Sequence, residues 1–329
     1  MLLTLVSSPS KFGIIQSGNS KVIVCFIENF NRNIFSDLYS YFLIHIKDRV
    51  KKFLSTNISK VALVTENPSE IANLQSLFLQ YIPEKGIFDI RGNCGNAMIA
   101  ATIFYNLKMN GNRLAHYSVI NLNTKKKHII SIKRKRGHTL ETEILFEQPQ
   151  GSITNTLLPT GNLVDIVTVN ERDYKVSIVD AGNPYVFIDK EQLLLSESSF
   201  GNVDLSLISE YELIRKEAQK LIKINTDSVF PKFSIVSQSK ERNAINARMI
   251  SVAAWHKSFA LTGLVCLTTA AMIRGTIVNQ NIKFVDNKSF FVNTIDRKKF
   301  EIKRLNKNIF TTSLSITQTV IIKEELSCI

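Results

Sequence analysis

The stretch best suited to chemistry in this chain is Asn93-Cys94-Gly95-Asn96. It ends an extended segment, Ile87 to Ile90, and opens a run of small and apolar residues from Ala97 to Tyr105. The sequence therefore places one thiol where a loop becomes a helix. The first N–H groups of a helix lack intrahelical partners and carry partial positive charge. They stabilise a thiolate, lowering its pKa so that it can take a proton from carbon near neutral pH. The same groups can hold a substrate carboxylate. The plainer reading is a small buried hydrophobe in a tight turn, a common use of free cysteine.

The elements that must hold this thiol read as short strands with few helices. Strand-like runs fall at Lys21 to Ile27, Lys60 to Val64, Val119 to Asn121, Ile129 to Lys133, Val176 to Val179 and Tyr185 to Ile188. Others follow at Phe233 to Val236, Ile282 to Val285, Phe290 to Asn293, Phe300 to Lys303 and Thr317 to Lys323. Ile34 to Lys52 and Tyr211 to Ile224 read as helices. One further run, Phe259 to Ile273, is apolar on every helical face, as is the run after Cys94. Such helices must be enclosed, and a curled sheet is the natural container. The same order thus occurs twice: strands, a polar turn, an all-round apolar helix, then more strands. The turns are Asn93 to Asn96 and Thr262-Gly263. An α+β fold of two similar domains is expected, each a curled, mostly antiparallel sheet around a central apolar helix.

Composition agrees. With 329 residues and 44% hydrophobic content, the chain exceeds what one core usually serves. Cys25, Cys94, Cys266 and Cys328 are too scattered for a disulfide framework or zinc site, and the five histidines show no ligand pairing. A reducing, cytoplasmic setting without a metal is expected. Met1 to Val6 lacks a basic leader, and the uncharged run Ser258 to Ile273 is too short to span a bilayer, so no membrane role is expected. The net charge of +13 is concentrated in Lys125-Lys126-Lys127-His128 and Lys133-Arg134-Lys135-Arg136, which read together as a hairpin around Ile129 to Ile132. Without interleaved aromatics or a nucleic-acid motif, a solvated hairpin is expected rather than a nucleic-acid site. Positive potential that draws in a small polyanion is a third reading.

Six ordered segments carry a family resemblance. They are Gly18-Asn19-Ser20-Lys21; Arg91-Gly92-Asn93-Cys94-Gly95-Asn96; and Gly151-Ser152 followed by Leu157-Leu158-Pro159-Thr160-Gly161-Asn162-Leu163-Val164-Asp165. The others are Val179-Asp180-Ala181-Gly182-Asn183-Pro184, Trp255 to Cys266, and Arg274-Gly275-Thr276-Ile277-Val278-Asn279. Together they resemble the PrpF-type isomerases, which include 2-methylaconitate cis-trans isomerase and 4-oxalomesaconate tautomerase, within the diaminopimelate epimerase-like superfamily. The resemblance implies two curled-sheet domains with the active site between them. Residues 1–167 would form the first and 168–313 the second, with the central helix of the second at 259–274. Residues 314–329 would return to the first.

The resemblance also implies roles. Cys94 stands at the position of the family's thiol and Lys60 at that of its catalytic lysine. The pair would move a proton, and with it a double bond, in an unsaturated aconitate-like di- or tricarboxylate, with no cofactor. The implied substrate cradle is Ser20, Lys21, Asn93, Gly95, Asn96, Ser152, Thr160, Gly161, Asn162, Asn183, Lys257, Thr262 and Gly263. Lys21 and Lys257 would neutralise carboxylates there. The expected partner is a small polycarboxylate, and the expected state a monomer or homodimer. Gln16 replaces an arginine, which points to a substrate with fewer or differently placed carboxylates, and Thr294-Ile295-Asp296-Arg297 replaces a His-Pro-Ser-Gly segment, which leaves the preferred acid and the level of activity open. Ala260-Leu261-Thr262-Gly263 contains no second thiol, which argues against an amino-acid racemase or epimerase on the same fold. A carboxylate-binding protein with reduced activity is the remaining alternative.

Overall fold

A computed structural model of the chain describes residues 10–30, 37–55, 58–67, 72–111, 113–137, 139–195, 208–224, 228–251, 254–256, 258–283, 289–294, 299–304 and 313–326. It divides into two units, 1–144 with 317–329, and 145–316. The strands arise where β-branched and aromatic residues run together, as in Val22-Ile23-Val24 and Tyr185-Val186-Phe187-Ile188.

The first unit contains β1 (Ser10–Ser17), β2 (Ser20–Ile27), β3 (Lys60–Glu66), β4 (Leu74–Ile82) and β5 (Ile87–Asp89). β6 (Ala115–Asn121), β7 (Lys127–Arg136) and β8 (Thr139–Glu147) follow. β1–β2, β3–β4, β4–β5 and β6–β7 pair antiparallel, whereas β2–β3 and β4–β6 are parallel. Between β2 and β3, short helices α1 (Leu38–Tyr41) and α2 (Lys47–Lys51) flank a π turn at Phe42–Ile46. Their Leu38, Phe42, Ile46 and Val50 pack against Ile23, Cys25, Val61 and Leu63, one face of the sheet. The alternate residues face α3 (Gly95–Asn110), which is buried around its circumference from Gly95 to Phe104 and ends at Gly111 in the left-handed conformation. α3 approaches β1 so closely that a Cβ on Gly13 would lie 2.3 Å from the Phe104 ring.

The basic stretch 125–136 is not a hairpin in itself. β7 is one ten-residue strand, and its hairpin partner is β6. Alternation of apolar and polar side chains covers only Ile130 to Lys133, and the strand continues through the exposed Lys133 and Arg134 without it. Lys133 pairs with Glu143 at 2.9 Å.

The second unit repeats this plan. β9 (Asp165–Val169) precedes β10 (Arg172–Ala181), β11 (Asn183–Asp189), β12 (Lys232–Gln238), β13 (Ala244–Ser251) and β14 (Ala254–Trp255). β15 (Ser289–Asn293), β16 (Lys299–Arg304) and β17 (Ser313–Leu326) complete it. β10–β11, β12–β13, β13–β14, β15–β16 and β16–β17 pair antiparallel, while β11–β12 and β13–β15 are parallel. The pairing order matches the first unit strand for strand from β1 or β10 onward. Helix α4 (Ile208–Leu221) covers one face through Tyr211, Ile214 and Ala218. α5 (Leu261–Met272) lies on the other, with Leu261 to Ala271 all buried. Thr276 caps α6 (Ile277–Gln280) and also donates to the carbonyl of Ala270 at 2.7 Å, so the Arg274-to-Asn279 motif closes the far end of α5. The latter part of β17 pairs with β1, within the first unit. No described helix is long and apolar enough to cross a membrane.

Candidate functional site

Cys94 is the N-cap of α3. Its backbone is extended (φ −140°, ψ 104°), its carbonyl accepts the first helical bond from Met98 N–H at 3.0 Å, and its thiol is half-buried with no capping bond. The N–H groups of the following turn point toward this end of the helix, the arrangement that favours negative charge. Lys60 heads β3 in register with Val22 of β2. Ser20 lies two residues before Val22. Its hydroxyl oxygen accepts from Lys60 Nζ at 2.8 Å and from Asn96 Nδ2 at 3.2 Å. Ser20 thereby ties the lysine to the second residue of the helix that Cys94 caps. Lys60, Ser20, Asn96 and the Cys94 turn are thus assembled by one hydroxyl.

Lys21 is not brought there. Side chains alternate along β2, and Ser20 is buried on the α3 side while Lys21 is exposed on the opposite face, across from Gln16. Gln16 itself donates to the Gly18 carbonyl at 3.3 Å. Arg91 is likewise committed: its Nε and Nη2 donate to both carboxylate oxygens of Asp89 at 2.9 and 2.7 Å.

Asn93 faces inward. Its Oδ1 accepts from Asn121 Nδ2 at 2.9 Å, and Asn121 Oδ1 accepts from the N–H groups of Asn123 and Thr124. Asn123 then donates to the carbonyls of Phe78 and Ile90 at 2.8 and 2.7 Å. These two asparagines fix the Asn93-Cys94 turn from behind, and the sequence reading missed them. The signal available was Asn121-Leu122-Asn123 closing a strand, a pattern that ordinarily means only a turn.

In the second unit, Ala260 is the N-cap of α5, again extended, and accepts the first helical bond from Leu264 at 2.9 Å. Thr262, the second helical residue, accepts from Asn183 Nδ2 at 3.1 Å, so the contact between hairpin and helix mouth recurs. Gly263 permits close packing, since a Cβ there would sit 2.6 Å from the Tyr185 hydroxyl. Ser152 is buried and donates to Asp180, whose other oxygen accepts from the Ile153 and Thr154 N–H groups at 2.8 and 2.7 Å. Thr160 and Asn162 donate to Asp165 at 2.8 Å each, and Gly161 sits exposed in that turn at φ 80°. These side chains hold loops. Lys257 lies outside the described residues.

The other described thiols are of a different kind. Burial pushes both Cys25 and Cys266 well above the ordinary thiol range, and Cys266 donates to the Val179 carbonyl at 3.1 Å. Both are core residues. Among the described residues, no three His, Cys, Asp or Glu side chains gather as a metal site would require.

The chain matches the family model described as "PrpF protein" over residues 54–295. It is 25% identical over 268 residues to 3-methylitaconate isomerase of Eubacterium barkeri, covering 68% of this chain and 70% of that protein. It is 24% identical over 273 residues to 2-methyl-aconitate isomerase of Shewanella oneidensis, covering 68% and 69%. Among solved structures it superimposes on a methylitaconate-delta-isomerase with a TM-score of 0.70 at 20% identity, covering 96% of this chain and 94% of the other.

Proposed function

Because this chain belongs to the PrpF family and is an isomerase, we propose that it shifts a proton and a double bond in an unsaturated, aconitate-like di- or tricarboxylate, with Lys60 and Cys94 as the acid–base pair. The observation that carries this reading is the Ser20 hydroxyl, which accepts from both Lys60 and the helix residue Asn96. It sets a cation beside a thiol-capped helix mouth, the two ingredients that carbon-acid chemistry needs.

The proton inventory closes on two groups. The Cys94 thiolate removes a proton from the carbon allylic to the conjugated carboxylate. The electron pair moves into that system as a dienolate, whose developing charge meets the first N–H groups of α3. The Lys60 ammonium then supplies a proton at the carbon that was formerly unsaturated, or at the original carbon after rotation. The first outcome moves the double bond and the second changes its geometry. The pair is left as thiol and amine, and one proton passed between them resets it. On the first unit the cradle is completed by Asn93, Gly95 and Asn96. Ala260 supports this one-thiol scheme, because its methyl stands where a two-thiol racemase needs sulfur.

The test is turnover of a panel of unsaturated acids, including cis- and trans-aconitate, the 2-methylaconitates, 3-methylitaconate and oxalomesaconate. Lys60→Met and Cys94→Ser are each expected to lower kcat by about 10²–10⁴-fold, the usual contribution of a positioned acid or base. Retained turnover in either folded variant would remove that residue from the pair.

A further inference from the structure

Lys60 belongs to a row of polar side chains that the reaction scheme leaves unused. In the strand registers Lys60 of β3 lies opposite Gln80 of β4, and Gln80 lies opposite Asp89 of β5. Residues directly opposite in an antiparallel pair share a face. The neighbouring Val61, Leu79 and Phe88 pack beneath the outer helices, so Lys60, Gln80 and Asp89 all face α3. The row thus carries a cation at one end and a carboxylate at the other, with a neutral amide between. At the usual strand spacing β3 and β5 lie about 9.6 Å apart, within the combined reach of a lysine and an aspartate side chain.

Lys60 turns the other way. Its Nζ donates to Ser20 of β2 at 2.8 Å. Asp89 is engaged by Arg91: Oδ1 accepts from the Arg91 backbone N–H and from Nε, each at 2.9 Å, and Oδ2 accepts from Nη2 at 2.7 Å. Asp89 is 5% exposed, so its charge has little water to rely on and needs such a partner. The guanidinium fork suits both carboxylate oxygens at once, which an ammonium cannot match. Gln80 is pinned between the two ends. Its Nε2 donates among the Ser59 carbonyl and hydroxyl, at 3.1 and 3.0 Å, and the Tyr81 carbonyl at 3.1 Å. A buried carboxylate stripped of its partner takes up a proton or another cation. In this row the cation within reach is Lys60.

We propose that Arg91 is a positioning residue for Lys60. By occupying both oxygens of Asp89 it neutralises a competing carboxylate, and Gln80 spaces the two. The ammonium therefore stays on Ser20, which also binds the second residue of the helix that Cys94 caps. The geometry belongs to the first unit alone, and only the kinetic consequence rests on the isomerase scheme above. Arg91 also opens the turn that leads to Cys94, and removing Asp89 as well separates the two effects.

Two measurements on the full-length protein test this role: steady-state kinetics, and trace acetylation by acetic anhydride, with the label on Lys60 read by peptide mass spectrometry. In Arg91→Met the bared carboxylate should draw Lys60 off Ser20 and hold its proton. Both the acetylation rate of Lys60 and kcat should then fall by about tenfold or more, with KM within about threefold of wild type. Adding Asp89→Asn to Arg91→Met removes the carboxylate too, and should restore both rates to within about threefold of wild type. Loss of a mere turn brace gives no such rescue, because the double variant has lost more of the turn than the single one. Gln80→Glu, close to isosteric, sets a carboxylate directly opposite Lys60 and should slow its acetylation in the same way. Acetylation of Lys60 at the wild-type rate in folded Arg91→Met, or a double variant no better than the single one, would overturn the positioning role and leave the isomerase scheme standing. Suppressed and rescued acetylation in a protein that turns over no unsaturated acid would uphold the role and overturn that scheme. If Arg91→Met does not fold, Gln80→Glu decides, and an unaltered acetylation rate there would overturn the inference.

Discussion

In the proposed scheme Ser20 positions the acid–base pair while doing no chemistry itself. Its oxygen is shared by Lys60 and Asn96, so its loss would free the ammonium from its strand-head position. Ser20→Ala is expected to lower kcat/KM about tenfold to a hundredfold, or ~1.4–2.8 kcal/mol of transition-state stabilisation, while both proton-transfer groups remain. An unaltered kcat/KM would show that Lys60 is positioned by something else. The place of Cys94 was legible in the sequence, because a thiol between Asn93 and Gly95 before a small-residue run falls where a loop becomes a helix, and it is the N-cap of α3. Lys60 was not legible from its own surroundings: a lysine at the start of an apolar strand is ordinarily a solvated end, and only the family resemblance singled it out. Lys21 was legible as a position on β2 but not as a face, because the strand's start at Ser20 had to be known before alternation could place it.

At the scale of elements, the central helices were readable because they are apolar around their whole circumference, which only enclosure explains. The edges were harder. The run 125–136 suggested a hairpin by its symmetry of charge, whereas the turn lies earlier and β7 is continuous, since the partner for its backbone comes from β6. Loop support was also hidden: Asp180, fully buried, holds the 152–154 segment through Ser152, Thr154 and two N–H groups, a role no local pattern announces. The Gly13 contact gives a direct test of how tightly α3 is enclosed. Gly13→Ala would drive a methyl into the Phe104 ring and is expected to destabilise the protein by about 1–3 kcal/mol, measured by denaturant unfolding. A neutral effect would mean that α3 can shift away from β1 at little cost.

Across the whole chain, two units share one strand order while their helix mouths differ by a thiol. The sequence showed the repeated order, placing the division at 167/168, and the compact units part at 144/145 with 317–329 joining the first. Strand pairing decides such a boundary, and long-range pairing leaves no trace in local pattern. Charge also acts at this scale. His128 of β7 is fully buried, and burial, with repulsion from Lys126, pushes its pKa down to about 3. Between that value and the ordinary histidine range near 6.5, the unfolded chain binds a proton there that the folded protein does not. Stability from this site is therefore complete above pH ~6.5 and declines as pH falls toward 3. His128→Gln should flatten that part of the acid unfolding profile, and an unchanged profile would show that His128 takes up its proton without unfolding.

The chemistry itself is tested most directly by proton NMR of the protein with aconitate-like acids in D₂O. Deuterium is predicted to enter an allylic carbon as the double bond shifts or changes geometry, with exchange lost in both Lys60→Met and Cys94→Ser. Exchange confined to the α-carbon of an amino acid, or allylic exchange that survives Cys94→Ser, would contradict the one-thiol isomerase.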